Sequence, residues 1–93
     1  MHMISNPQEL EDLLLEEVTD KEKSLVLYND DENTFDWVIE SLMKVCNHDP
    51  LQAEQCSLIV HYQGKCAVKD GSYDRLRPMK EALADRGLSV TIE

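Results

Sequence analysis

The sequence predicts an α+β fold, a three-stranded antiparallel sheet with three helices in the order β-α-α-β-α-β. Three observations carry that expectation. Short apolar runs without helical spacing stand at Leu25 to Tyr28 and at the far end of the chain, where Leu88, Val90 and Ile92 alternate with Ser89, Thr91 and Glu93. Between them, apolar residues recur at helical spacing in separate stretches. Each change of pattern coincides with a turn signal such as Asn29-Asp30-Asp31, Asp49-Pro50 or Gly87. A chain of 93 residues buries about 60% of the surface its unfolded form exposes, enough for one modest core and not two.

Leu25-Val26-Leu27-Tyr28 reads as the first strand, apolar on both faces, and it stops at Asn29-Asp30-Asp31, whose side chains favour turns. Thr34 or Asn33 caps a first helix whose apolar positions are Val38, Ile39, Leu42, Met43 and Cys46. Asp49-Pro50-x-Gln52 combines a capping acid, a proline at the first helical position and a reciprocal glutamine, and so starts a second helix. That helix runs through Ala53, Cys56 and Ile59 to about Val60, and Gly64 ends the connection. Lys65 to Lys69 alternates weakly as a second strand, and Asp70-Gly71 is a turn. Leu76, Met79 and Leu83 mark a third helix, expected to start near Arg77 because of Pro78 and to end at Gly87. Leu88 to Glu93 is then a half-buried final strand.

Two segments of different character are expected: an acidic mobile extension over 1–23 and a folded core over 24–93. The first 23 residues hold seven acids and two bases, half of the formal charge of −10. Leu10, Leu13 and Leu14 have helical spacing, yet they offer too little apolar surface to hold a helix without a partner. The extension reads either as a solubilising tail or as a peptide that engages another machine.

The acidic balance argues against DNA or RNA, and against an anionic membrane, because both depend on Lys and Arg. No apolar run approaches the roughly 20 residues needed to span a bilayer, and no signal pattern opens the chain. Cys46, Cys56 and Cys66 are odd in number and lack C-x-x-C spacing, so they read as reduced core thiols. Histidines 2, 48 and 61 have no ligand spacing, and His48 with Asp49 reads as an exposed helix connection. Neither a nucleophile-base set nor a phosphate-cradling loop is visible, so an enzyme is not expected, nor a metal or other cofactor.

Two stretches exceed structural need. Asn29-Asp30-Asp31 puts an amide and two carboxylates at a strand end, just before a helix that opens with Phe35. Val60-His61-Tyr62-Gln63-Gly64-Lys65 is a polar and aromatic run at the end of an apolar helix. Taken singly, each reads as an ordinary turn or helix end. If the two ends meet, Asn29 and His61 supply acceptors beside apolar Phe35, Val38 and Leu88, a place for a cation attached to a hydrophobic group.

These two motifs, with about thirty residues between them, and the helix from Phe35 to Val45 resemble ClpS, the adaptor that hands N-degron substrates to the Clp protease. The similarity is close over Ser24 to Lys65 and returns in the last strand. It implies the same three-stranded, three-helix fold. It also implies that Asn29 and His61 hold the α-amino group of a substrate's first residue, with Asp30 and Asp31 adding contacts directly or through water. Asn carbonyl and neutral imidazole both accept from an ammonium, so binding should weaken as His61 takes up a proton. The implied side pocket, for a first residue Leu, Phe, Tyr or Trp, comprises Phe35, Val38, Ser57, Val60 and Leu88, with Asn33 and Thr34 on its rim.

The implied partners are the N-terminal domain of a Clp AAA+ unfoldase of ClpA or ClpC type and N-degron proteins, met by a monomer in a bacterial cytoplasm, with no nucleic acid or membrane. Phe35 and Ser57 stand where the family commonly has Met, which implies a changed ranking among large apolar first residues. Residues 66–86 match poorly, and unfoldase contacts are not carried over onto them. Two other readings stay open: an unfoldase-docking regulator with altered or lost selectivity, and an interaction module like the ribosomal stalk protein's C-terminal domain.

Overall fold

Leu25, Val26 and Leu27 are all buried, as the side chains of a strand flanked on both edges can be. β1 (Glu22–Tyr28) is accordingly central in the sheet order β2-β1-β3, with β2 (Lys65–Ser72) and β3 (Ser89–Ile92) both antiparallel to it. The computed structural model describes residues 21–93 together with Pro7, Gln8 and Leu10. The expected acidic extension lies, but for these three and residues 21–23, outside the described residues. The first strand starts at Glu22, earlier than the apolar run alone suggests, because Glu22, Lys23 and Ser24 pair with Ser72, Gly71 and Asp70.

That pairing also corrects the reading of Asp70-Gly71 as a turn. Both residues belong to β2, and the Ser24 hydroxyl donates to the Asp70 carboxylate at 2.6 Å. The ladder slips by one residue between Leu25 and Val26, leaving Val68 as a bulge without a register partner. His48, expected to be exposed, is instead buried beside it and donates Nε2–H to the Val68 carbonyl at 2.6 Å. Lys69, next in the chain, reaches the Cys46 carbonyl at 3.3 Å. The bulge is thus tied to the end of the first helix and the connection that follows it.

Helix α1 (Phe35–Cys46) starts at Thr34, whose hydroxyl accepts from the Trp37 N–H, and stops at Asn47 in the left-handed region. Helix α2 (Pro50–Gln63) has Asp49 as its cap, accepting from the Gln52 N–H at 2.8 Å. It runs beyond Val60, ending at Gly64, whose φ of 94° suits a residue without Cβ. Ala53, Ser57 and Val60 form its buried face, whereas Leu58 and Ile59 are exposed. Ile59 therefore does not face the core as its apolarity suggests. Helix α3 (Tyr73–Asp85) begins directly after β2 and not near Arg77. Ser72 caps it by accepting from the Arg75 N–H, and Pro78 lies inside at the cost of one bond to the exposed second residue, Asp74.

The helices cover one face of the sheet. Leu25 and Leu27 of β1, Val68 of β2, Leu42 and Cys46 of α1, Ala53 and Val60 of α2, Leu76 and Leu83 of α3, and Leu88 share one buried cluster. The opposite face is polar at its margin: the Tyr28 hydroxyl donates to Glu93, and the Lys65 ammonium lies 5.9 Å from the Tyr28 ring centre. No described helix is long and apolar enough to cross a membrane.

Candidate functional site

Where β1 ends, the Asn29 N–H donates to the Gly64 carbonyl at 2.9 Å, so the first strand's end and the second helix's end do meet. Between them opens a cavity of about 480 Å³ lined by Asn29, Asp30, Asp31, Asn33, Phe35, Val38, Ser57, Val60 and His61. One wall is the turn after β1 and the first turn of α1, and the other is the last two turns of α2.

The two carboxylates of the turn behave differently. Asp30 Oδ1 accepts the backbone N–H groups of Glu32 and Asn33 at 3.0 and 2.9 Å, and Oδ2 accepts the Asn33 side-chain amide at 2.8 Å. Burial pushes the Asp30 carboxyl up, but the bonds from Asn33 and Glu32 outweigh it and hold the group below the usual carboxylate range. Asp30 is thereby committed to shaping the turn while keeping its negative charge. Asp31 is exposed and makes no hydrogen bond or ion pair with any described residue. The side chains of Asn29 and His61 likewise have no hydrogen-bond partner among the described residues; His61 has only an edge contact with the Tyr62 ring, 4.9 Å between centres.

Of the candidate site residues, Leu88 and Thr34 are not in this cavity's wall. Leu88 is buried beneath it, bordering a smaller void of about 30 Å³ with Leu27, Val38 and Val60. Thr34 is spent on capping α1. Asn33 is in the wall and does more than line it: its amide also donates to the Gly87 carbonyl at 2.9 Å, tying the turn to the start of β3. Ser57 is 3% exposed and donates its hydroxyl to the Ala53 carbonyl at 2.8 Å.

Sequence reasoning missed the brace behind this wall. The Trp37 indole N–H donates to the Arg86 carbonyl at 2.9 Å, and the Arg86 guanidinium lies 4.1 Å from the Trp37 ring centre. Arg86 Nε donates to the Ser41 hydroxyl at 2.8 Å, and Ser41 donates to the Trp37 carbonyl at 2.7 Å. The signals were a lone tryptophan in a charged first turn and an Arg-Gly helix end.

Two of the thiols are held in their protonated form by burial. Burial pushes Cys46 up to about 11, the Lys69 ammonium opposing, and burial with the neighbouring Cys66 pushes Cys56 up to about 12. Cys46 is fully buried, while Cys56 and Cys66 are only half-buried. Among the described residues no group of three or more His, Cys, Asp or Glu is placed to hold a metal ion.

In chemical terms the cavity brings uncommitted acceptors and a negative turn together with apolar side chains. Among solved structures, ClpS2 of Agrobacterium tumefaciens bound to L-phenylalaninamide is similar in fold, with a TM-score of 0.73 and 24% identity over 80% of this chain and 96% of that one. The family model for the ATP-dependent Clp protease adaptor protein ClpS matches residues 19–91. With the β-α-α-β-α-β order and antiparallel sheet in agreement, the chain belongs to the ClpS family of Clp protease adaptors.

Proposed function

We propose that this protein binds the free α-amino group and bulky apolar first residue of N-degron substrates and delivers them to a Clp AAA+ unfoldase. The observation that carries the reading is the convergence of Asn29, Asp31 and His61, whose side chains have no hydrogen-bond partner among the described residues, on a cavity that Phe35, Val38 and Val60 also line. An ammonium offers donors only. It therefore finds acceptors in the Asn29 carbonyl and the neutral His61 ring, with Asp31 and the braced Asp30 supplying charge. L-phenylalaninamide, the ligand of the Agrobacterium protein, joins such an ammonium to a large apolar side chain.

The magnitudes are consistent with a carrier that must release its cargo. Burying the side chain is worth about 1.5–3 kcal/mol and each charge-assisted hydrogen bond about 1.5–3 kcal/mol. After ordering costs, the remainder suits a micromolar complex, about −8 kcal/mol. Delivery would use an unfoldase N-terminal domain as docking partner and the acidic residues 1–23 as the segment that is pulled, in a bacterial cytoplasm and by a monomer.

The test is a fluorescence titration of peptides starting with free Phe, Leu, Arg or Val, and of an acetylated Phe control, against wild type and His61→Ala. Free Phe and Leu should bind, acetylation should abolish binding, and His61→Ala should weaken it at least tenfold. Binding indifferent to both acetylation and His61→Ala would eliminate the ammonium clamp and leave the docking regulator as the reading.

A further inference from the structure

Ser57 is a polar side chain in the apolar part of the cavity wall. It precedes His61 by four residues on α2, so it lies on the same helix face, about 6 Å along the axis. That span is comparable to the reach of an aromatic side chain from its own α-amino group. The Ser57 hydroxyl has one proton, and that proton is given to the Ala53 carbonyl at 2.8 Å. Its oxygen therefore keeps only acceptor capacity, on a residue that lines the cavity. Apart from His61, the other wall residues on α1 and α2, Phe35, Val38 and Val60, offer no polar side-chain atom. Asn33 on the turn wall has its amide hydrogens engaged by Asp30 and Gly87.

Resting on the N-degron reading, we infer that Ser57 is a specificity-determining residue that favours first residues carrying a hydrogen-bond donor on a large ring, the phenol of Tyr or the indole of Trp. A Phe ring or Leu branch covers the Ser57 oxygen and leaves its lone pairs dry. A phenol O–H or indole N–H pairs with it. The cavity, at about 480 Å³, is large enough for either ring.

The experiment measures Kd for peptides identical except at a free first residue, on wild type and Ser57→Ala. Tyr- and Trp-first peptides should bind wild type about three- to tenfold more tightly than the Phe-first peptide. In Ser57→Ala, Tyr should lose that lead over Phe or fall behind it, since the phenol is then buried unpaired. Alanine is the strongest helix former, so the variant keeps α2. A second comparison needs no variant: 4-aminophenylalanine and 4-methylphenylalanine at the first position differ in a donor at nearly constant size, and the amino compound should bind wild type more tightly. Equal Kd for these two, or a Tyr-to-Phe ratio unmoved by Ser57→Ala, overturns the role of Ser57 while free-amine peptides still bind. Binding of none of these free-amine peptides to wild type overturns the N-degron reading itself, and the inference with it.

Discussion

The two walls of the cavity are built on different physics. The α2 wall is held by burial: Ser57 and Val60 are almost fully removed from solvent, and Val60 belongs both to the wall and to the core cluster. The turn wall is held by hydrogen bonds from side chains, with Asp30 closing on Glu32 and Asn33, and Asn33 anchored to Gly87. The difference teaches where tolerance lies. A packed wall fixes shape and resists change in volume, whereas a hydrogen-bonded turn fixes direction and can hold charge at the surface without burying it. An ammonium site needs the second kind at its mouth, and an apolar side chain needs the first kind within.

The largest effect should come from the packed wall. Val60→Ala removes two methyl groups from a site that is 5% exposed, and should lower stability by about 2 kcal/mol in urea titration. It also widens the cavity against Val38 and should weaken binding of Phe- and Leu-first peptides. A loss in stability smaller than that of Asp30→Ala would invert the contrast between the walls.

Asp30→Ala attacks the other wall. Three donors lose their acceptor, so a loss of about 1–2 kcal/mol is expected, with a drop in affinity even though this carboxylate is committed to the turn. The pH dependence has a definite sign. The Asp30 carboxyl is held below its ordinary range in the fold, against burial, by the Asn33 and Glu32 bonds. Its contribution is therefore complete above the ordinary carboxylate range and is lost as pH falls through the lower folded value. In urea titrations across pH, the gap between wild type and Asp30→Ala should be constant at neutral pH and narrow only in acid. A gap that narrowed toward alkaline pH would contradict the assignment of the turn's stability to this carboxylate.

How far the site was legible follows the same division. Interactions within one turn were written in the sequence: Thr34 and Asp49 cap the helices that follow them, and Gly64 and Gly87 take positive φ after helix ends. The paired motifs posed the meeting of Asn29 with the end of α2 as a condition, and the Asn29 bond to the Gly64 carbonyl meets it. What stayed hidden depends on partners far apart in the chain. His48 finds the Val68 carbonyl 20 residues on, Trp37 finds Arg86 49 residues on, and Asn33 finds Gly87 54 residues on. The bulge at Val68 is a register property of two strands, and no local pattern in Lys65 to Lys69 encodes it. On α2 the named residues Ala53 and Val60 are buried, but small Ser57 joins them while Leu58 and Ile59 stay outside, so apolarity alone does not mark the buried face. Residue types alone also could not divide Asp30 from Asp31, since an aspartate in a turn serves equally as an acceptor for its own backbone or as a free charge.

The smallest stability effect, and the sharpest division within the turn wall, should come from Asp31. This carboxylate is exposed, lines the cavity and has no partner among the described residues. Asp31→Ala should change stability by no more than about 0.5 kcal/mol, because nothing in the fold leans on it. Its effect on a bound ammonium is that of an exposed charge near an opposite one, so Kd for a free Phe-first peptide should rise about two- to fivefold at low salt. Screening sets the second half of the test. At ionic strengths near 1 M the Debye length shrinks to about 3 Å, and the gap between wild type and Asp31→Ala should largely close. Asp30→Ala, which acts through the shape of the turn, should keep most of its binding defect at the same salt. If instead both variants lost their defect together in salt, the two aspartates would be acting alike as field charges. If neither did, Asp31 would be touching the ligand directly, joining Asn29 and His61 as a third acceptor at the mouth.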